Sequence, residues 1–195
     1  MFVQVIKGRT SDPEGLRAQL ERWRTDLKPG AVGFEGSTVG VAEDGTFVAL
    51  ARFGDAEAAE RNAARPEQGA WWEATAACLD GEATFRDSTD VDTLFDCSND
   101  AGFVQVMEGT VKDRDTARAM ETPEMLEQLR AARPDLLGIR RVWFDGGAFV
   151  EAAYFTSEAD ARKGESSAEF SGPQQEYMEQ FGDLTFIDLR DPLLD

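Results

Sequence analysis

Phe2-Val3-Gln4-Val5 returns unchanged as Phe103-Val104-Gln105-Val106. Hydrophobic tetrapeptides recur by chance, so the echo carries weight only if the rest of the chain keeps step. It does. Gly8 answers Gly109, Asp12 answers Asp113, Asp44-Gly45 answers Asp145-Gly146, and Gly81-Glu82-Ala83-Thr84-Phe85 answers Gly182-Asp183-Leu184-Thr185-Phe186, each shifted by 101 positions. Between these anchors the register drifts, with Gly33-Phe34 matching Gly138-Ile139, as insertions in loops and helix ends would produce. The repeat divides the 195 residues into two homologous domains, residues 1 to 87 and 103 to 195. The acidic linker from 88 to 102 carries Asp90, Asp92, Asp96 and Asp100 around one apolar pair, Leu94-Phe95. Each half is small for an independent core, so the halves are expected to bury a shared surface.

Within a half the order reads strand, helix, strand, strand, helix, strand. Phe2 to Ile6 is a short β-rich run closed by Gly8. A helix follows, with Ser11 or Asp12 as N-cap, Pro13 in its first turn, and Leu16, Leu20, Trp23 and Leu27 along one face until Pro29-Gly30 ends it. Val32 to Val41 and Thr46 to Phe53 form a hairpin across Glu43-Asp44-Gly45. Helical sequence runs from Asp55 to Ala64, breaks near Pro66, and resumes through Trp71-Trp72 to Leu79; Ala83 to Arg86 is the last strand. In the second half Pro123 splits the first helical region into Arg114 to Met120 and Pro123 to Ala132, with Met125, Leu126 and Leu129 inward. The later helix starts near Ser157 and resumes after Gly172-Pro173. This βαββαβ unit is the split form that gives an antiparallel sheet with both helices on one face, leaving the other face to bury.

The tandem βαββαβ pattern, an opening strand running straight into a helix, and Thr46-Phe47-Val48-Ala49-Leu50-Ala51-Arg52-Phe53 followed by a helix resemble the dimeric α+β barrel superfamily, in particular the antibiotic biosynthesis monooxygenase type. The resemblance implies an α+β fold in which two ferredoxin-like repeats pack sheet to sheet, here as an intramolecular dimeric α+β barrel. It also implies a broad range of functions: cofactor-free oxygenases of polycyclic phenols, haem-degrading enzymes, haem-dependent chlorite and peroxide enzymes, and lactone isomerases. A fold with so many uses cannot assign one, and the site must.

The chain has no histidine. A histidine ligand to haem, a His-dependent triad, a His-based zinc site and imidazole acid or base chemistry are thereby excluded. Cys78 and Cys97 form no CxxC pair and read as free thiols, with a disulfide that ties down the linker as the alternative. No GxGxxG or GxxxxGK[ST] motif supports a nucleotide, and carboxylates such as Glu57, Glu60, Glu158 and Asp160 suit solvated helix faces. The expectation is therefore no cofactor and no metal. An electron-rich phenol or anthrone can reduce oxygen itself once deprotonated in a dry pocket, so a cofactor-independent oxygenase stays chemically open.

Candidate catalytic residues are Tyr154, Glu151 and Arg52; candidate ligand-binding residues are Trp71, Trp72, Tyr177, Gln4, Gln105 and Arg141. Each has a plainer alternative. A tryptophan pair on a helix is commonly core, and Arg52 and Tyr154 can turn their polar ends to water. Gln4 and Gln105 hold matching places in apolar strands, so each needs a partner, and hydrogen bonding across a pseudo-twofold axis competes with ligand binding. Glu151 shares a strand face with Phe149 and Phe155 where the first half has Ala49; buried, it would have a raised pKa and act as a base with Arg140 or Arg141 as counter-charge, and an edge position open to solvent is the competing reading. The second half has the more varied polar set and is the better candidate for a retained pocket.

With 38 acidic against 20 basic residues the net charge is -18, which repels nucleic-acid phosphates and anionic lipid. No signal-like start or long apolar run is present, so the expected place is the cytoplasm. The partner expected is a hydrophobic or aromatic small molecule, with a pseudo-dimer in one chain and further homodimerisation open. Two function classes remain: a cofactor-independent monooxygenase-like or isomerase-like enzyme, and a non-catalytic barrel that binds a ligand or a protein.

Overall fold

The structure, a computed structural model, describes residues 1–95, 99–167 and 173–195. Asp96, Cys97 and Gly172 lie outside the described residues. Two compact units form, Met1–Val91 with Pro192–Asp195, and Asp92–Asp191.

In the first unit β1 (Phe2–Arg9) leads to α1 (Pro13–Arg22), whose last turn widens into a π-turn over Trp23–Leu27. The cap is Asp12, whose carboxylate accepts from the Gly15 amide at 2.9 Å, a contact worth about 1 kcal/mol. The hairpin strands β2 (Phe34–Val41) and β3 (Thr46–Phe53) follow, then α2 (Ala56–Ala63), α3 (Pro66–Ala76) and β4 (Thr84–Ser88). The second unit opens with β5 (Val91–Leu94) and repeats the plan: β6 (Phe103–Thr110), α4 (Arg114–Met120), α5 (Pro123–Ala132), β7 (Leu136–Trp143), β8 (Ala148–Phe155), α6 (Glu158–Ser167), α7 (Pro173–Met178) and β9 (Thr185–Arg190). A last strand, β10, covers Leu193–Leu194. Both units are thus ferredoxin-like and α+β, with β1 running through Gly8 rather than stopping there.

The sheets have orders β10-β2-β3-β1-β4 and β5-β7-β8-β6-β9. Their fifth strands depart from the boundaries read in the repeat. Residues 91–94, placed in the acidic linker on sequence, are a strand beside β7, and residues 193–194 pair with β2 of the first unit (Leu193 with Val39, Leu194 with Thr38). The physical reason is hydrogen-bonding capacity: an edge strand's free N–H and C=O groups accept any extended segment that follows.

Strand alternation sorts the side chains. Phe2, Ile6, Val39, Phe47, Ala49 and Phe53 share the face on which Leu16 of α1 and Ala58 of α2 pack; Phe103, Met107, Trp143, Phe149 and Phe155 form the matching face under Ala117 and Ala161. The opposite faces carry Val3, Val5, Val48 and Leu50, and Val104, Val106, Val142, Val150 and Ala152, all buried. Among the described residues no helix is long and apolar enough to cross a membrane.

Candidate functional site

The helix-facing side of the first sheet holds a cavity of about 380 Å³, walled by Phe2, Phe53, Trp71, Trp72 and Phe85 with Gln4, Asn62, Gln68 and Asp87. A smaller hollow of about 100 Å³ shares Gln4, Asn62, Gln68, Trp71 and Trp72 with it and adds Trp23 and Phe34. Six rings run in unbroken contact along this wall. Phe53 meets Phe34 at 5.6 Å between centroids, Phe34 meets Trp23 at 4.8 Å, Trp23 meets Trp71 at 6.3 Å, Trp71 meets Trp72 at 6.0 Å and Trp72 meets Phe85 at 5.1 Å. Phe85, on edge strand β4, is 47% exposed and marks the mouth.

Trp71 and Trp72 both line this cavity, and Trp71 is also core: it is buried, and its indole N–H donates to Gln19 O at 2.7 Å. Gln4 lines the same cavity. Its partner is not across an axis: Nε2 donates to Asp87 Oδ1 on the adjacent strand at 2.9 Å, and Gln105 donates likewise to Asp188 at 3.0 Å. Register decides this, since Gln4 faces Asp87 and Gln105 faces Asp188 in the β1–β4 and β6–β9 ladders.

Two residues that the sequence reading does not single out complete the wall. Buried Asn62 accepts at Oδ1 from the Arg65 guanidinium at 2.8 Å, and Gln68 accepts at Oε1 from the Trp23 indole at 2.8 Å. These donors fix the amide orientations, because a guanidinium or indole can only donate. The Asn62 and Gln68 NH₂ groups make no hydrogen bond among the described residues, and both residues line the cavity. A cationic donor on the Asn62 oxygen also polarises that amide and strengthens its N–H as a donor. The only sequence signal was two amides six residues apart flanking Pro66, in helical sequence otherwise rich in alanine.

In the second unit the related cavity is smaller, about 180 Å³, and lies between the sheet and α5 and α7. One end is charged. Arg141 donates from Nε to Glu151 Oε2 at 2.6 Å, from Nη1 to Glu121 Oε1 at 2.6 Å and from Nη2 to the Tyr177 oxygen at 3.0 Å, while the Tyr177 hydroxyl donates to Glu121 Oε1 at 2.6 Å. Arg141, Glu121 and Glu151 side chains are all under a tenth exposed. Burial pushes the Tyr177 phenol up, and the Glu121 and Glu151 charges add to that against the opposing pull of Arg141. Burial works against the charge on Arg141, but Glu151, Tyr177 and Glu121 outweigh it and raise its pKa. The other walls are Leu94, Met107, Met125, Leu126, Leu129, Ile139, Met178 and Phe181.

Glu151, Arg141 and Tyr177 thus meet, joined by Glu121, which the sequence showed only as the residue before Thr122-Pro123. Tyr154 does not join them. It is buried but three positions from Glu151 on an unbroken strand, so it points to the opposite face with Val150 and Ala152. Arg140 is set apart from Glu151 by the same alternation. Arg52, the register equivalent of Tyr154, donates to Thr38 Oγ1 at 3.3 Å and Asp195 O at 2.6 Å and lines neither cavity of its unit. Gly36 admits that contact: at φ +139°, a Cβ there would lie 2.2 Å from both Arg52 Nη2 and Asp195 O. Gln105 does not line the second cavity.

Similar folds were found among solved structures. A candidate monooxygenase from Fusobacterium nucleatum superposes on all of this chain, 100%, and 93% of its own length, with a TM-score of 0.75 and 10% identity. A candidate monooxygenase from Lactobacillus acidophilus covers 96% of this chain and 92% of its own, with a TM-score of 0.69 and 14% identity. An anthrone oxidase-like protein covers 97% and 90%, with a TM-score of 0.68 and 11% identity. No protein-family model and no curated protein matches the sequence. The chain shares the tandem α+β fold of these monooxygenase-like proteins.

Proposed function

We propose that this protein binds a flat, electron-rich aromatic molecule in the first unit's cavity and oxygenates it without a cofactor, as a monooxygenase of the anthrone-oxidising kind. The observation that carries this reading is a cavity walled by a continuous run of aromatic rings and lined by Asn62 and Gln68, two amides with NH₂ groups unused among the described residues. Flat rings suit stacking on Trp71, Trp72 and Phe85. Two fixed N–H donors suit an oxygen on which negative charge develops, as happens when an anthrone loses a proton from its central CH₂ and becomes an enolate. Two carboxylates line the cavity, Glu60 and Asp87, and Asp87, oriented by its hydrogen bond from Gln4, is the one proposed to accept that proton. The enolate passes one electron to O₂, the radical pair joins as a peroxide, and loss of water leaves the quinone: CH₂ plus O₂ gives C=O plus H₂O, with no external reductant. The full-length likeness to an anthrone oxidase-like protein supports the same substrate class.

The second unit, favoured on sequence for its varied polar groups, suits this chemistry less. Its cluster sets two buried carboxylates against one guanidinium, whereas the carboxylates lining the first cavity, Glu60 and Asp87, are exposed and screened by water. One uncompensated negative charge about 5 Å from a forming enolate costs on the order of 3 kcal/mol at an effective dielectric near 20. With a net charge of -18 the chain is further proposed to work in the cytoplasm, away from nucleic acid and membrane surfaces.

The test is oxygen uptake by the purified chain with 1,8-dihydroxyanthrone, followed with quinone formation. We expect one O₂ consumed per quinone, and a fall of about 10²-fold in kcat for Asn62→Ala with folding retained. Saturable binding with no oxygen uptake would instead favour the non-catalytic ligand-binding barrel. No binding at all would remove the first cavity as the site.

A further inference from the structure

We propose that the second unit's cavity is a separate binding site for a small organic cation, an apolar body carrying one ammonium group. Each Arg141 nitrogen has a partner: Nε with Glu151, Nη1 with Glu121 and Nη2 with Tyr177. The Tyr177 oxygen is also used twice, accepting from Arg141 and donating to Glu121. What remains is acceptor capacity. Glu121 Oε2 and Glu151 Oε1 make no hydrogen bond among the described residues, and both residues line the cavity.

Charge points the same way. Two buried carboxylates face one buried guanidinium. Arg118 is committed to Asp92 through Nε at 2.9 Å and Nη2 at 2.8 Å, so that pair adds no net charge. Both oxygens stay open to solvent, and a ligand that brings N–H⁺ replaces water on them while restoring neutrality. An anion would meet an excess of its own sign. Beyond the cluster the walls are soft and apolar, with Met107, Met125, Leu126 and Leu129 offering only dispersion contact. At about 180 Å³ the space is below the roughly 300 Å³ of drug-sized sites, so the occupant is small. The first unit cannot share this property, because Val39 and Ala49 stand where Arg141 and Glu151 stand in the β2–β3 and β7–β8 ladders.

The experiment is calorimetric titration of the full chain at pH 7 with three probes of one shape: hexylammonium, hexanol and hexanoate. We expect one saturable hexylammonium site, hexanol at least tenfold weaker, and no hexanoate binding. Glu151→Gln should weaken hexylammonium about tenfold. Leu126→Trp, which fills the cavity without altering a charge, should abolish binding and locates the site even if Glu151→Gln folds poorly. Equal or tighter binding of hexanol or hexanoate overturns the proposal, as does no hexylammonium binding at millimolar concentration. Unchanged affinity in Leu126→Trp also overturns it. Oxygen uptake with the anthrone is read separately and should be unaffected by hexylammonium.

Discussion

The same two strand positions hold Val39 and Ala49 in the first unit and Arg141 and Glu151 in the second. In the first, the pair joins an apolar cluster with Leu16, Phe47 and Leu193, and polarity moves out to amides beside an aromatic wall. In the second, the pair brings charge to the centre, and Glu121 and Tyr177 are recruited to satisfy it. One backbone therefore supports two unlike cavities. The choice between them turns on a few inward positions that the ladder leaves free to vary.

The comparison predicts its largest effect at Arg141. Arg141→Leu strands two buried carboxylates and should cost about 3–5 kcal/mol in urea unfolding. The triple change Arg141→Val, Glu151→Ala, Glu121→Leu, which makes the second unit resemble the first, should recover most of that loss. If the triple variant is no more stable than the single one, the charges are not what distinguishes the units.

A smaller effect is expected at the carboxylates that bear on the edge strands. Asp92 in β5 accepts from Arg118 and from the Trp143 indole at 2.5 Å; Asp195 beside β10 accepts from Lys28 at 2.5 Å and Arg24 at 3.3 Å. Burial opposes both charges, but these donors and the nearby cations outweigh it and hold both carboxyls below the ordinary aspartate value. A folded-state pKa below the unfolded one stabilises above about pH 4, and the gain is lost as pH falls through the folded value. Amide-exchange protection of residues 91–94 and 193–194 should therefore decline first on acidification. Asp92→Asn should remove that pH dependence from residues 91–94 alone.

The smallest effect tests what the units share. Gln4→Ala and Gln105→Ala each delete one hydrogen bond to an adjacent-strand aspartate and should each cost about 1 kcal/mol. A cost several times larger at one of them would show that its pair is not a simple strand-to-strand contact.

Much of this was legible from the chain. The repeat, the central strands, a cap at Ser11 or Asp12 and the Pro123 helix start are written in local pattern, because a cap or a period-2 strand involves residues near in sequence. The faces of Gln4 and Glu151 were readable for the same reason. Asn62, Gln68 and Glu121 were not, because an amide or carboxylate on a helix or its flank looks like solvated surface until the docking of that element sets what it meets. Tyr154 and Glu151 were both candidate catalytic residues by type, and alternation sets them on opposite faces.

The sequence by itself determined two α+β repeats, a chemistry without histidine and a strong negative charge. Only the tertiary structure decided that Arg141 reaches Glu121 and Tyr177, 20 and 36 positions away, and that residues 193–194 complete the first sheet. The reason is physical: local pattern fixes which way a side chain points, whereas its partner depends on where distant segments come to rest against that face.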